Sequence, residues 1–397
     1  MLVNLIITSL TVRFWNIRVR ARNLSYQELV INSQHEFETQ HMNPEKKITI
    51  KDIAKKAGVS AGTVDRVLHN RGEVSEKSKA KIRKTLEELH YEPNLIASSL
   101  SAKKTYLFIT LIPSFNSGDY WEEVDKGIDR AMSEVAKFNV FIEKRYFNQF
   151  DAQSFFLAID DLENAECNGV MLSPILRDKS LMFTAKMKQR QIPVVFIDSQ
   201  VEGADFLAYF GQPSFQSGYV GAKTLMLQVK DNQNVLLFRT LRKGFIGANQ
   251  TLQRQEGFLS FLSEYRPNVS VINVELQAGN SELNELLMKQ AFDERNQVGA
   301  AVIFNSTAFN IASFLERSDI HNVVLLGYDA LARNVHYLKQ GQISMLIAQR
   351  PETQSYNGIK ALFNYSVLKQ SVNHINYMPI DLLYKENVDF YTHYEQY

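Results

Sequence analysis

The sequence predicts an all-α head followed by an α/β body of two lobes, each built on a doubly wound sheet. Between Thr49 and Leu89, apolar residues recur at helical spacing in three short runs separated by breaker residues. From Tyr106 onward, continuous apolar runs of strand length alternate with amphipathic stretches. At 397 residues the chain has room for two or three domains, and its strand candidates are too many for one modest sheet.

Composition bounds the function classes. A net charge of +1 excludes a uniformly basic nucleic-acid coat, but the charge is uneven: residues 42–104 hold 14 Lys/Arg against 8 Asp/Glu. A basic segment on a body of opposite bias suits one part that meets phosphate and another that does not. Hydrophobic residues make up 45%, enough for sizeable cores. The lone Cys167 can form neither an internal disulfide nor a cysteine metal site, which fits a reducing, cytoplasmic setting. No apolar run approaches the length of a membrane span. Residues 1–41 open on an apolar stretch, and Arg13, Arg18, Arg20 and Arg22 follow it, the reverse of a signal peptide. We read 1–41 as a non-functional or disordered leader with translation starting at Met42; an interfacial amphipathic helix is the alternative.

In the head, Thr49 opens a capping-box-like start with Asp52 in the first turn, and Ile53, Ala54 and Ala57 form one apolar face. Gly58-Val59-Ser60 breaks that helix, with Gly58 supplying the turn and Ser60 able to cap the next. Val64, Val67 and Leu68 then pack back on the first helix. After His69-Asn70-Arg71-Gly72, Ser75 caps a third helix with Ile82, Leu86 and Leu89 as its buried stripe. Two short helices joined by a tight turn form a helix-turn-helix, whose second helix enters the major groove. That geometry points Ala61 and Gly62 at base edges and leaves Thr63 and Arg66 within reach of phosphate or base.

The run from Ile48 to Ser101 resembles the head of the lac-repressor/galactose-repressor family of transcriptional regulators over its whole length. The matching features are Asp52-Ile53-Ala54, Ala57-Gly58-Val59-Ser60, Thr63-Val64, Arg66-Val67-Leu68, Val74-Ser75, and Tyr91-x-Pro93-Asn94 with Ala97 and Leu100. The resemblance implies a DNA-binding domain over 48–92 and a hinge helix and linker over 93–104, the helix lying in the minor groove of a palindromic double-stranded operator. DNA contacts then fall to Ser60, Ala61, Gly62, Thr63, Arg66 and Asn70 in the head and Asn94, Ala97 and Leu100 in the hinge. Leu100 matches the family's leucine wedge; a linker residue packed on the body is its other reading. So short a helix does not hold in water alone and should order with DNA and a partner hinge. A wedge offsets unstacking by allowing a bend that extends the contact surface.

Two departures from the family pattern matter. Asp65 stands where the family usually has a serine near phosphate, so that contact is not carried over. Ala61 and Gly62 are small, which shifts specificity toward Arg66, the hinge and DNA shape.

In the body, residues 105–390, strands are expected at 106–112, 140–146, 169–173, 194–198, 234–239, 300–304 and 323–329, with a late strand in ISMLIA. Helices are expected at 120–136, 215–229 and 281–296. Apolar runs separated by helices indicate buried parallel strands, whose carboxyl ends bind ligands. The body resembles, more loosely than the head, the periplasmic-binding-protein-like sensor domain of the same family. Carried over residue by residue, the resemblance puts Ser173, Asp198, Arg254, Asn305, Asp329 and Gln349 on the cleft between lobes. All but Arg254 close or follow a strand. Arg and Asp across a cleft suit a neutral polyhydroxylated ligand, since each offers paired hydrogen bonds to adjacent hydroxyls. Tyr120 and Trp121 either stack on a sugar face or form a buried helix start.

The sequence lacks a G-x-S-x-G elbow, an H-E-x-x-H pair and a Walker loop, its eight histidines have no metal-ligand spacing, and no catalytic residue, metal or cofactor is expected. The resemblance implies a homodimeric repressor, not an enzyme, whose operator affinity a small polar ligand, a carbohydrate, controls; the sign of that control is not legible, and nucleobases and other polar metabolites stay open. The alternatives are a transporter's solute-binding protein, which requires export, and an α/β enzyme using the cleft. The tail after Tyr384 has no leucine heptads, which points to a dimer without a coiled-coil tetramer.

Overall fold

The computed structural model describes residues 48–68, 73–89, 104–230, 232–241 and 248–394, in two compact units that divide after Pro93. Among the described residues, the first holds three helices: α1 (Ile50–Ala57), α2 (Ala61–Leu68) and α3 (Glu76–Glu88). Thr49 caps α1 in a capping box, its side chain accepting from the Asp52 N–H while Asp52 Oδ2 accepts from the Thr49 N–H at 2.9 Å. Gly58 ends α1 at φ 66°, a left-handed conformation that costs glycine little. Ser60 Oγ then accepts from the Thr63 N–H at 3.1 Å and opens α2. Ile53, Ala54, Ala57, Val64 and Ile82 form the core of this unit. The buried stripe of α3 is Ile82 with Thr85, while Leu86 and Leu89 pack against the same core only partly buried.

The second unit contains two six-stranded sheets. In lobe 1 the order is β11-β5-β4-β3-β1-β2, from β1 (Tyr106–Pro113), β2 (Val140–Phe147), β3 (Gly169–Leu172), β4 (Val194–Ile197), β5 (Ala208–Gly211) and β11 (Ile375–Tyr377). In lobe 2 it is β12-β10-β9-β8-β6-β7, from β6 (Asn234–Leu241), β7 (Val271–Gln277), β8 (Val298–Ile303), β9 (Val324–Tyr328), β10 (Met345–Ala348) and β12 (Asp381–Leu383). Every pairing is parallel except β10 with β12. The central strands β3, β4, β5 and β10 are buried throughout, as parallel strands covered on both faces should be. The edge strand β7 alternates in part, which is why its sequence signal is weaker.

Helices cover both faces of each sheet. In lobe 1, α4 (Tyr120–Val135) and α12 (Pro351–Ser366) pack on one face; α5 (Ala152–Glu163) and α6 (Arg177–Gln189) pack on the other. In lobe 2 the pairs are α7 (Ser214–Leu225) with α8 (Asn249–Tyr265), opposite α9 (Ser281–Ala291), α10 (Ala308–Arg317) and α11 (Ala332–Gln340). A last helix, α13 (Val388–Tyr394), seats Val388 in the lobe 2 core. The chain passes between lobes three times: from β5 to α7, from β10 to α12, and from β11 to β12. Each sheet reverses its strand order beside its first strand, so the loops after β1, β3, β6 and β8 open toward one crevice.

Candidate functional site

At the carboxyl ends of both sheets lies a cavity of about 530 Å³. Loops after β1 and β2 supply Phe115, Asn116, Asn148, Gln149 and Phe150, and the start of α4 supplies Tyr120 and Trp121. Opposite them lie Gln250, Thr251 and Arg254 from α8 and Asn305, Ser306 and Thr307 after β8. Asp198 after β4, Asp329 after β9 and Gln349 after β10 close the floor.

Arg254 organises the floor. It is 1% exposed, yet a helix delivers it, and that helix can lie so deep because α7 and α8 meet at glycines. A Cβ on Gly218 would stand 1.8 Å from the Arg254 carbonyl oxygen, and one on Gly257 would stand 1.9 Å from that of Phe215. The guanidinium donates to Phe304 O at 2.9 Å and Gln349 Oε1 at 2.7 Å, and lies 4.1 Å from the centre of the Tyr328 ring. Its Nε has no hydrogen-bond partner among the described residues.

The two carboxylates are held differently. Asp198 Oδ1 accepts from the Tyr120 hydroxyl at 2.9 Å and from Gln250 Nε2 at 2.7 Å. Asp329 Oδ1 accepts from Gln349 Nε2 at 2.8 Å. Burial pushes the Asp329 carboxyl up to about 7, against the pull of Arg254 and the Gln349 bond, with the charge of Asp198 adding to the rise. Burial also raises the Tyr120 hydroxyl well above its ordinary value, aided by Asp198 and Asp329, so it stays a neutral donor. Tyr120 and Trp121 meet edge to face at 5.0 Å, part of the lobe 1 core and of the cavity wall at once. At the rim, Arg333 of α11 donates to Asp119 across the cleft at 3.1 Å.

Of the residues expected on the cleft, seven line this cavity: Tyr120, Trp121, Asp198, Arg254, Asn305, Asp329 and Gln349. Ser173 does not; it is fully buried behind the wall, where Ile175 faces the cavity, and its hydroxyl has no partner among the described residues. Sequence reading missed Gln250, although it stands one helical turn before Arg254 on the same face. It also missed the loop residues after β1 and β2, which the rule of carboxyl-end ligands selects.

In the head, Ser60, Ala61, Gly62 and Arg66 are exposed at and along α2, with Thr63 half-buried and hydrogen-bonded to Ser60 Oγ. Asn70, Asn94, Ala97 and Leu100 lie outside the described residues. Among the described residues, no cluster of His, Cys, Asp and Glu could hold a metal, and no helix is long and apolar enough to cross a membrane.

Residues 49–94 match the bacterial regulatory proteins of the lacI family, and residues 109–370 match a periplasmic binding protein domain. The crystal structure of a Bacteroides fragilis protein described as a LacI transcriptional regulator superposes with a TM-score of 0.70 at 36% identity, covering 72% of this chain and all of that one. The glucose-galactose binding protein GanP of Geobacillus stearothermophilus shares the fold at a TM-score of 0.63 and 20% identity, over 72% of this chain and 99% of its own. Among curated proteins, the probable HTH-type transcriptional repressor ExuR of Bacillus subtilis is 28% identical over 55% of this chain and 61% of its own length. The HTH-type transcriptional repressor PurR of Yersinia pestis is 28% identical over 59% of this chain and 64% of its own. The chain thus spans less than two thirds of these curated relatives. With a lacI-type head and a body of that fold, matched at 36% identity by a solved structure over its full length, the chain belongs to the lacI family of bacterial regulatory proteins.

Proposed function

We propose that the protein is a homodimeric, cytoplasmic transcription repressor whose affinity for a palindromic operator is set by a neutral, polyhydroxylated ligand, a carbohydrate, in the interlobe cavity. One observation carries the ligand reading: a buried arginine and two buried carboxylates share the floor of a cavity with aromatic walls. The Arg254 guanidinium supplies a donor for hydroxyl oxygens, the carboxylates accept from hydroxyls, and Trp121 and Phe115 supply aromatic surface for sugar C–H groups. With Asp119, Asp198 and Asp329 against Arg254 and the rim Arg333, the lining is not a trap for anions. The structural neighbours named for sugars lie near 20% identity and support the fold; the sugar reading rests on the cavity.

The DNA reading rests on the head: α2 presents Ala61, Gly62 and Arg66 to solvent, Ser60 and Thr63 fix its first turn, and the family model covers this segment. Pro93–Ser101 would complete the contact in the minor groove, with Leu100 as wedge.

The test is a thermal-shift screen of the whole chain against neutral monosaccharides, sugar acids, sugar phosphates and nucleobases, with the Arg254→Ala variant beside it. A ligand at a hundred times its dissociation constant stabilises by about 2.7 kcal/mol. A shift with a neutral sugar that vanishes in the variant supports the reading. A shift only with a sugar phosphate or nucleobase replaces the ligand class, and turnover of the ligand rejects the regulator.

A further inference from the structure

Gln212 sits in the first passage between lobes, between β5 and α7, and is 1% exposed. Its Nε2 donates to the Ala348 carbonyl at 2.6 Å and to the Pro379 carbonyl at 2.7 Å. Ala348 ends β10 at the second passage, and Pro379 lies in the third, between β11 and β12. One side chain therefore spends both amide hydrogens on binding the three interlobe passages together. Its Oε1 accepts from Ser217 Oγ at 3.2 Å, and Ser217 is also hydrogen-bonded to the Tyr328 hydroxyl at 3.0 Å. Tyr328 is the ring against which the Arg254 guanidinium lies.

We propose that Gln212 is the positioning residue of the hinge, a clasp that fixes the angle between lobes by holding the three passages at one spacing. Rigid-body closure requires φ/ψ changes confined to such passages, and a shared donor makes those changes concerted. At the Ala348 end the bond is buried, so its loss leaves a buried acceptor unsatisfied, while the bond to Pro379 is part-buried and ties in the third passage. Through Ser217 and Tyr328 the clasp also touches the group that reads the cavity, so a ligand that shifts Arg254 acts on the hinge. That last consequence rests on the cavity being a ligand site; the clasp does not.

The test uses the full-length chain without ligand. With Cys167→Ser, spin labels go at Gln153→Cys in lobe 1 and Glu282→Cys in lobe 2, and the labelled chain is diluted into unlabelled chain. Pulsed dipolar spectroscopy reads the interlobe distance. The expected result is a narrow distribution with Gln212 present and one about twofold broader, or shifted, in Gln212→Met. Gln212→Asn, too short by a methylene to reach both carbonyls, gives the same readout if the methionine variant does not fold. Val302→Ala, in the lobe 2 core, lowers the melting temperature without broadening. An unchanged distribution in the Gln212 variants, or equal broadening in Val302→Ala, overturns the clasp. Because no ligand enters the measurement, neither outcome bears on the sugar reading.

Discussion

Asp198 and Asp329 hold the same position in the two lobes. Each follows the fourth strand of its lobe in chain order, in the left-handed region at φ 67° and 69°. Each donates its N–H to the neighbouring strand, Asp198 to Phe210 O at 3.0 Å and Asp329 to Ile347 O at 2.9 Å. Aspartate tolerates this conformation better than most residues, and the kink turns each carboxylate off the strand toward the cavity. Non-glycine residues held in the left-handed region cluster at ligand clamps and active sites. The fold thus presents two related carboxylates to one space, and Arg254, from lobe 2 alone, makes their environments unequal.

That inequality has a pH signature. The Asp329 carboxyl titrates near 7 in the folded chain and near 3.8 when unfolded. Between those values the folded state holds a proton that the unfolded state has released, so stability falls as pH rises from about 4 to 7 and is level above. Asp329→Asn is expected to flatten this slope, measured as urea midpoints at pH 5, 6 and 8. A slope unchanged in the variant would place the titration elsewhere. A sugar hydroxyl donating to the ionised carboxylate favours its charged form, so binding should tighten as pH rises through about 7 in the native chain and not in the variant.

Arg254→Lys separates geometry from charge. Lysine keeps the charge but cannot reach Phe304 O and Gln349 Oε1 in one plane while lying on the Tyr328 ring. Loss of one hydrogen bond to a charged group costs about 1.5–3 kcal/mol, so sugar affinity should fall roughly tenfold to a hundredfold, read by titration calorimetry. Native affinity in the lysine variant would remove the planar fork from recognition.

Much of this site was legible because strand ends are legible. Asp198, Asp329 and Gln349 each follow an apolar run with no charge in it, and the switch from apolar to polar text marks the carboxyl edge. Arg254 owed its place to resemblance, since a helical arginine beside Gln253 and Gln255 reads as solvent-facing; its burial follows from the close approach of α7 and α8, Gly218 against the Arg254 backbone and Gly257 against that of Phe215. Ser173 shows the opposite error. It follows β3 as the rule requires, yet it is fully buried and Ile175 lines the cavity instead. Gln212 was invisible, because its meaning depends on two carbonyls more than a hundred residues away.

Gly218→Ala tests the contact that seats Arg254. The added methyl would stand 1.8 Å from a backbone oxygen, so the helices α7 and α8 must part. Overpacking of this kind costs about 1–3 kcal/mol, and more where backbone has to move. The expected result is a lower urea midpoint together with a weakened sugar response, since Arg254 withdraws with its helix. A destabilised variant with native sugar affinity would show that α8 yields without moving its arginine.

On the DNA side, Arg66 is exposed on α2, three residues beyond the turn fixed by Ser60 and Thr63. If its guanidinium meets phosphate, Arg66→Ala lowers operator and non-specific affinity together and reduces the slope of log affinity against log salt by about 0.9. If it meets a base edge, operator affinity falls by about 1–3 kcal/mol while non-specific binding changes far less. Because Ala61 and Gly62 offer no long side chain to the groove, the second pattern is expected, read by fluorescence anisotropy on the operator and a scrambled duplex across a salt series. Equal losses on both duplexes with a shallower slope would assign Arg66 to the backbone and leave sequence reading to the hinge and to DNA shape. No loss on either duplex would remove α2 from the interface.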